Sequence, residues 1–305
     1  MTGPSAVASR GRTWLLAIRP ATLPAAVGPV AVGLAVALAN GVFRPLPAIA
    51  CLAVALLLQV AANLANDLLD FRSGADTAER LGPPRVAQQG LLTERALVVA
   101  TGIVLGFAAL AGLYLATVGG PIILLLGAAA IASALAYTGG PWPYGYHGLG
   151  EIFVFVFFGL VAVAGTAYLQ IGALGVLAIV AAVPVGALVT AILVVNNLRD
   201  IATDRAAGKR TLAVLLGPRA TAAEYSLLLG VAFATPVGLV LAGAASAWVF
   251  VALLALPLAV PLLREVWAAG DPRRLNPVLG GTARLSLVFA LLLAVGIALG
   301  GRAAG

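Results

Sequence analysis

Asn63-Leu64-Ala65-Asn66-Asp67-Leu68-Leu69-Asp70 closes an apolar run that begins at Leu46 and is long enough, with its polar end, to cross a bilayer. On a helix Asn63, Asn66, Asp67 and Asp70 fall at i, i+3, i+4 and i+7, which stacks two carboxylates and two amides along one stripe. A carboxylate at bilayer depth costs roughly 2.5–3.5 kcal/mol on insertion scales, and like charges one turn apart repel, so a compensating cation is expected. Far downstream, Asn196-Asn197-Leu198-Arg199-Asp200-Ile201-Ala202-Thr203-Asp204-Arg205 closes the apolar run 174–195 in the same way. Asn196, Asp200 and Asp204 share one face there, and both stretches carry an N-x-x-x-D spacing. The two acidic helix ends are reconciled if they face each other across a cavity and share hard divalent cations. Oxygen-rich donors of this kind suit Mg²⁺, completed by substrate phosphates.

With 62% hydrophobic and 10% charged residues, the chain cannot be a soluble globule. Nine apolar runs of spanning length follow one another, at about 22–40, 46–66, 95–116, 120–138, 150–170, 173–196, 223–242, 246–263 and 283–300. The expected fold is therefore all-α: a polytopic membrane protein of nine transmembrane helices around a central cavity. Spans one to four and five to eight each carry N-x-x-x-D at the end of their second helix, which reads as two parallel four-helix repeats plus one helix. With the N-terminus inside, every arginine and lysine except Arg44 and Arg302 falls on the cytoplasmic side, as the positive-inside rule requires. The net charge of +7 is spread over several loops beside the membrane, which fits anionic lipid and a phosphate-bearing substrate rather than nucleic acid. The lone Cys51 forms no disulfide within the chain.

Residues 1–12 read as a disordered cytoplasmic tail and 13–305 as one transmembrane domain, with motif-bearing cytoplasmic loops at 67–94 and 197–222. The prolines at 20, 24 and 29 suit a helix start. Arg19 beside them either belongs to that turn or touches an anionic ligand. The long connection from Phe71 to Glu94 reads as a lid. Its Arg72 and Arg85 are phosphate donors or, alternatively, topology markers. Tyr137-Thr138-Gly139-Gly140-Pro141-Trp142-Pro143-Tyr144-Gly145-Tyr146 concentrates aromatics, either as an interfacial belt or as the border of an aromatic substrate, with Tyr137 and Tyr144 the candidates. His147, the only histidine, is given no catalytic role. Lys209, the only lysine, and Arg210 follow the second acidic stretch and are read as diphosphate ligands. Spans seven to nine are read as scaffold.

Asn66-Asp67-Leu68-Leu69-Asp70 with Asp76, and Asn196-Asn197-Leu198-Arg199-Asp200-Ile201-Ala202-Thr203-Asp204 leading to Gly208-Lys209-Arg210, resemble the two signatures of the UbiA superfamily of intramembrane prenyltransferases. The likeness covers nearly the whole chain. Arg19-Pro20-Ala21-Thr22-Leu23-Pro24, Gly82-Pro83-Pro84-Arg85-Val86 and Gly148-Leu149-Gly150-Glu151 are similar to its menaquinone branch. The resemblance implies Mg²⁺ held by Asn63, Asp67 and Asp70 and by Asn196, Asp200 and Asp204, with Asn66 and Asp76 as further candidate ligands. It departs from the usual pattern at Gly74, where many members carry the last acid of the first motif, a place Asp76 would fill. Arg72, Arg85, Lys209 and Arg210 would grip the diphosphate. The four acids Asp67, Asp70, Asp200 and Asp204 would carry the catalysis, joining polyprenyl diphosphate to 1,4-dihydroxy-2-naphthoate at the inner face of the cell membrane with loss of CO₂. An acceptor such as 4-hydroxybenzoate, homogentisate or a lipid alcohol is the alternative within enzymes. An ion-coupled transporter is the alternative outside them.

Overall fold

Proline at the first helical turn and glycine just past the last one divide this chain into its helices. In a computed structural model, which describes residues 10–74, 81–268 and 270–301, helices α2 (Pro24–Ala39), α3 (Pro45–Arg72), α5 (Pro121–Ala136) and α10 (Pro218–Leu241) all start on proline, whose missing N–H is no loss there. Helix α4 (Glu94–Gly119) starts instead on a side-chain cap, with Thr93 Oγ1 accepting from the Ala96 N–H at 3.2 Å. Gly120, Gly172 and Gly217 stop their helices with φ near +80°, a conformation other residues rarely adopt.

The remaining elements are α1 (Arg10–Ile18), α6 (Gly150–Val154), α7 (Ala162–Ile171), α8 (Val176–Ala206), α9 (Leu212–Leu216), α11 (Leu256–Ala268) and α12 (Leu275–Gly300). A π-helical stretch, Phe155–Val161, fuses α6 and α7 into one span, and a 3₁₀ stretch, Ala247–Ala255, leads into α11. Among the described residues no strand occurs, so the fold is all-α. Each of the nine apolar runs lies on helix. Among the described residues, seven helices are long and apolar enough to cross a membrane, and an eighth span results if the bent pair Gly11–Thr22 and Pro24–Ala39 counts as one. α5, with 16 residues, is about 24 Å long and falls short of a hydrocarbon layer of about 30 Å, so length does not establish the ninth. The chain is a multi-pass membrane protein.

The bend of 48° in the first span falls between Gly11–Thr22 and Pro24–Ala39, and Arg19, the one non-glycine residue with positive φ among those described, lies just before it. Thr22 Oγ1 donates to the Arg19 carbonyl at 2.9 Å and closes the turn. Pro29 does not mark a helix start as expected; it is buried inside α2, where the neighbouring helices rather than water surround the freed carbonyl. The expected tail at 1–12 falls mostly outside the described residues, and its last three residues form the first turn of α1.

α8 is the axis of the bundle: 72% of its apolar window is buried, against 17% for α4 at the periphery. Glycines let the helices of the bundle pack closely. A Cβ at Gly159 of the π stretch would stand 2.7 Å from Gly186 Cα on α8, and one at Gly33 of α2 would meet the Val163 carbonyl at 2.5 Å. At one end of α3 and α7 the chain is fastened by polar pairs. Arg44 N–H donates to Gln170 Oε1 at 2.6 Å, and Gln170 Nε2 donates back to the Arg44 carbonyl at 3.0 Å. The acidic stretches lie at the other end. There the helices run further than the expected loops, since α3 continues to Arg72 and α8 to Ala206. The acids therefore stand on rigid helix.

Candidate active site

The charge imbalance of the acidic stripe is answered from three directions. Asp70, buried on α3, accepts from Arg85 Nη2 at 2.7 Å through Oδ2, and from Tyr146 at 2.6 Å and Lys209 Nζ at 3.0 Å through Oδ1. Asp67, one turn earlier, is 1% exposed and accepts the backbone N–H groups of Val86 and Ala87 at 3.1 and 3.0 Å. Residues 81–87 of the connection between α3 and α4 thus fold down onto the acids, as the lid reading expects, and backbone donors hold them there. Such charge-assisted bonds are about twice as strong as neutral ones.

Lys209 joins the two acidic stretches. Its Nζ lies 3.0 Å from Asp70 Oδ1 on α3 and 3.9 Å from Asp204 Oδ1 on α8, and 4.5 Å above the ring of Tyr146. The motifs expected to meet do meet. They do so through side-chain contact rather than across open space, because internal cations neutralise the carboxylates in place. On α8, Asp200 is clasped by Arg199 Nε and Nη2 at 2.7 and 2.6 Å, and Arg199 is itself 1% exposed.

Several candidates are engaged elsewhere. Arg72 is exposed and pairs with Glu94 at 2.7 Å, away from Asp70, because the last turn of α3 points it outward toward α4. Arg210 is exposed, and its backbone N–H donates to the Tyr146 carbonyl. Asn63 uses both amide protons on the Ile18 carbonyl and Thr22 Oγ1, at 2.8 and 2.9 Å, so only its Oδ1 is left for ligation. Asn66 accepts from Thr138 Oγ1 at 2.9 Å, and Asn196 Oδ1 accepts from Arg199 at 2.9 Å. Arg19 is half-buried in the first half of the bent first span. Asp76 lies outside the described residues.

The two tyrosines divide. Tyr144 is consumed by packing: its hydroxyl bonds Ser133 Oγ and the Ser133 carbonyl at 2.8 and 3.0 Å, and its ring stacks on Phe153 at 4.0 Å. Tyr137 faces the acids. Its ring packs edge-on against Tyr144, with centroids 5.4 Å apart. Gly145 and Gly150 flank its ring so closely that a Cβ at either would come within 3.0 and 3.3 Å of it.

Sequence reading missed three participants and one carboxylate of the scaffold. Tyr146 was passed over for its neighbours, although its hydroxyl makes the shortest contact to Asp70. Glu151 is buried and accepts from Asn197 Nδ2 at 2.8 Å, a tie between spans that spacing cannot reveal. Arg199 stands inside the second acidic stretch and carried no role of its own in the sequence. Glu224 on α10 places a carboxylate in the part read as plain scaffold. The His147 ring stacks on Trp142 at 4.4 Å and takes no part in the acidic cluster.

All donors around the cluster are hard oxygens, which fit Mg²⁺. Among the described residues no three acidic, histidine or cysteine side chains crowd into a closed cage. Mg²⁺ does not ask for one, since one or two carboxylates, waters and substrate phosphates complete its shell.

Known proteins resemble this chain over most of its length. 1,4-Dihydroxy-2-naphthoate octaprenyltransferase of Mycobacterium tuberculosis is 43% identical over 94% of this chain and 97% of its own length. The apo structure of a UbiA homolog from Aeropyrum pernix K1 superposes with a TM-score of 0.68 at 19% identity, covering 92% of this chain and 98% of that one. A UbiA homolog from Archaeoglobus fulgidus bound to DMAPP and Mg²⁺ gives 0.56 at 16% identity over 93% and 99%. The model of the UbiA prenyltransferase family matches residues 26–288, and the chain belongs to that family.

Proposed function

We propose that this protein transfers a polyprenyl group from polyprenyl diphosphate to 1,4-dihydroxy-2-naphthoate, releasing diphosphate and CO₂ and forming demethylmenaquinol, the reduced form of demethylmenaquinone, for menaquinone biosynthesis. The observation that carries the reading is Lys209 spanning Asp70 and Asp204, which joins the two acidic motifs into one site. The 43% identity to a naphthoate octaprenyltransferase over almost the full length selects the acceptor. Asp67, Asp70, Asp200 and Asp204, with Asn196 and the Oδ1 of Asn63, would hold Mg²⁺. When bound, Mg²⁺ supplies Lewis-acid stabilisation of the charge that builds on the leaving diphosphate.

The chain's own groups do the rest. Lys209 and Arg85 are cations already placed at the acids, and both can transfer their hydrogen bonds from Asp70 to an arriving diphosphate. As the allylic C–O bond breaks, its electron pair goes to the diphosphate. The ring carbon that bears the carboxylate forms the new C–C bond, and that carboxylate departs as CO₂. Residues 81–87, clipped to Asp67 through Val86 and Ala87, exclude water that would quench the allylic cation. Tyr146 presents its hydroxyl at the same place, donating to Asp70 Oδ1. The acid-bearing end belongs on the cytoplasmic side, the side that gathers all the basic residues but Arg44 and Arg302.

Purified protein incubated with Mg²⁺, octaprenyl diphosphate and a panel of aromatic acids should give a prenylated, decarboxylated product only from the dihydroxynaphthoate, identified by mass. A product from 4-hydroxybenzoate instead would reassign the acceptor. Lys209→Ala is expected to raise KM for the prenyl diphosphate by about tenfold, the loss of about 1.4 kcal/mol from one charged contact, with a smaller change in KM for the naphthoate. An unchanged KM for the diphosphate would remove Lys209 from that role.

A further inference from the structure

Arg199 holds three oxygens that the proposed function assigns to a divalent cation. Its guanidinium reaches both oxygens of Asp200, at 2.7 and 2.6 Å, and Asn196 Oδ1 at 2.9 Å. Residues i and i+1 on a helix do not face each other, so the side chain has curled back to clasp its own neighbour. A planar fork of N–H donors matches a carboxylate in a way no lysine can. The fourth contact leads out of the motif. Nη1 donates to Asn276 Oδ1 on α12 at 3.0 Å, and Asn276 Nδ2 donates to the Leu81 carbonyl at 2.9 Å. The next residue, Gly82, lies flat on the guanidinium: a Cβ there would stand 2.7 Å from Nη2. Four residues further along, the backbone N–H groups of Val86 and Ala87 reach Asp67 of the first motif.

We propose that Arg199 is a placeholder cation for the second acidic motif: it occupies the oxygens of Asp200 and Asn196 until a divalent ion displaces it, and its link through Asn276 and Gly82 passes that displacement to the segment covering the site. Mg²⁺ alone then competes with a resident guanidinium and binds weakly. A diphosphate shifts the balance, because it brings negative charge that the displaced Arg199 can face. Metal and diphosphate therefore bind cooperatively, and the lid responds to the pair rather than to either alone. The inference rests on the prenyltransferase reading and extends it to the order of assembly.

The test is Mn²⁺ binding followed by electron paramagnetic resonance on the detergent-purified full chain, with and without inorganic pyrophosphate. Wild type should bind Mn²⁺ about tenfold more tightly once pyrophosphate is added. Arg199→Gln should bind Mn²⁺ alone about tenfold more tightly than wild type, with little further gain from pyrophosphate. Arg199→Lys, which keeps the charge and loses the fork, should fall between and serves as the decisive variant if Arg199→Gln does not fold. A purely structural arginine predicts the opposite, unchanged or weaker metal binding on its removal. The proposal is overturned if the folded variants bind Mn²⁺ no more tightly than wild type, or if pyrophosphate leaves wild-type affinity where it was. Product formation by wild type with Mg²⁺ and both substrates, run in parallel, decides the prenyltransferase reading separately.

Discussion

Asp67→Ala and Asp200→Ala are each expected to lower product formation by about a thousandfold or more while the protein still inserts into membrane. The scale follows from losing several kcal/mol of charge stabilisation at the step where the allylic C–O bond breaks. The two losses arise differently. Asp67→Ala frees the Val86 and Ala87 N–H groups, so the covering segment loses its clip as well as a candidate metal oxygen. Asp200→Ala leaves Arg199 buried without its carboxylate. Asp200→Asn keeps the shape and one acceptor oxygen, and it should be nearly as inactive with less loss of stability. Turnover of naphthoate measured in membranes, with protein level checked by immunoblot, decides the matter. Wild-type rates in both variants would mean the paired motifs are not the catalytic site.

The second large effect is on stability. Asp70 is the meeting point of Arg85, Lys209 and Tyr146, and the Asp70 and Arg85 side chains are 4% and 7% exposed. Removing one partner of a buried ion pair costs about 3–5 kcal/mol, because the remaining charge is left desolvated. Asp70→Ala should therefore lower the thermal midpoint in detergent clearly, besides abolishing turnover. Asp70→Asn should be milder in stability and equally inactive. An unaltered midpoint in Asp70→Ala would show that solvent reaches Arg85 and Lys209 easily and that the pairing is superficial. The same cluster explains why a magnesium-dependent reading and a cage-free geometry agree, since Asp70, Asp200 and Asp204 are paired to internal cations that a metal and a diphosphate together can replace.

The spans were legible because lipid leaves little choice: long apolar runs in a chain of 62% hydrophobic residues must be helices. Their ends were harder to read. α3 and α8 carry their helical geometry through the acids to Arg72 and Ala206, and polar composition alone had suggested loops there. The stripe Asn63, Asp67 and Asp70 was visible as helical spacing, and so was the need for a counter-charge. Which cation answers which acid was not visible. Arg72 neighbours Asp70 in sequence yet turns to Glu94, whereas Arg85 and Lys209 arrive from distant segments. Tyr146 and Tyr144 are two residues apart and have opposite fates, because the short 3₁₀ turn at Tyr144–His147 sends one ring into Phe153 and the other to Asp70. Such choices are made by tertiary contact, and no local pattern encodes them.

The reciprocal bonds between Arg44 and Gln170 have a mechanical result. They stitch the start of α3 to the end of α7 at the edge farthest from the acids, across a helix 28 residues and about 42 Å long. Any parting of these two helices is then largest where Asp67 and Asp70 stand, as pages open away from a book's spine.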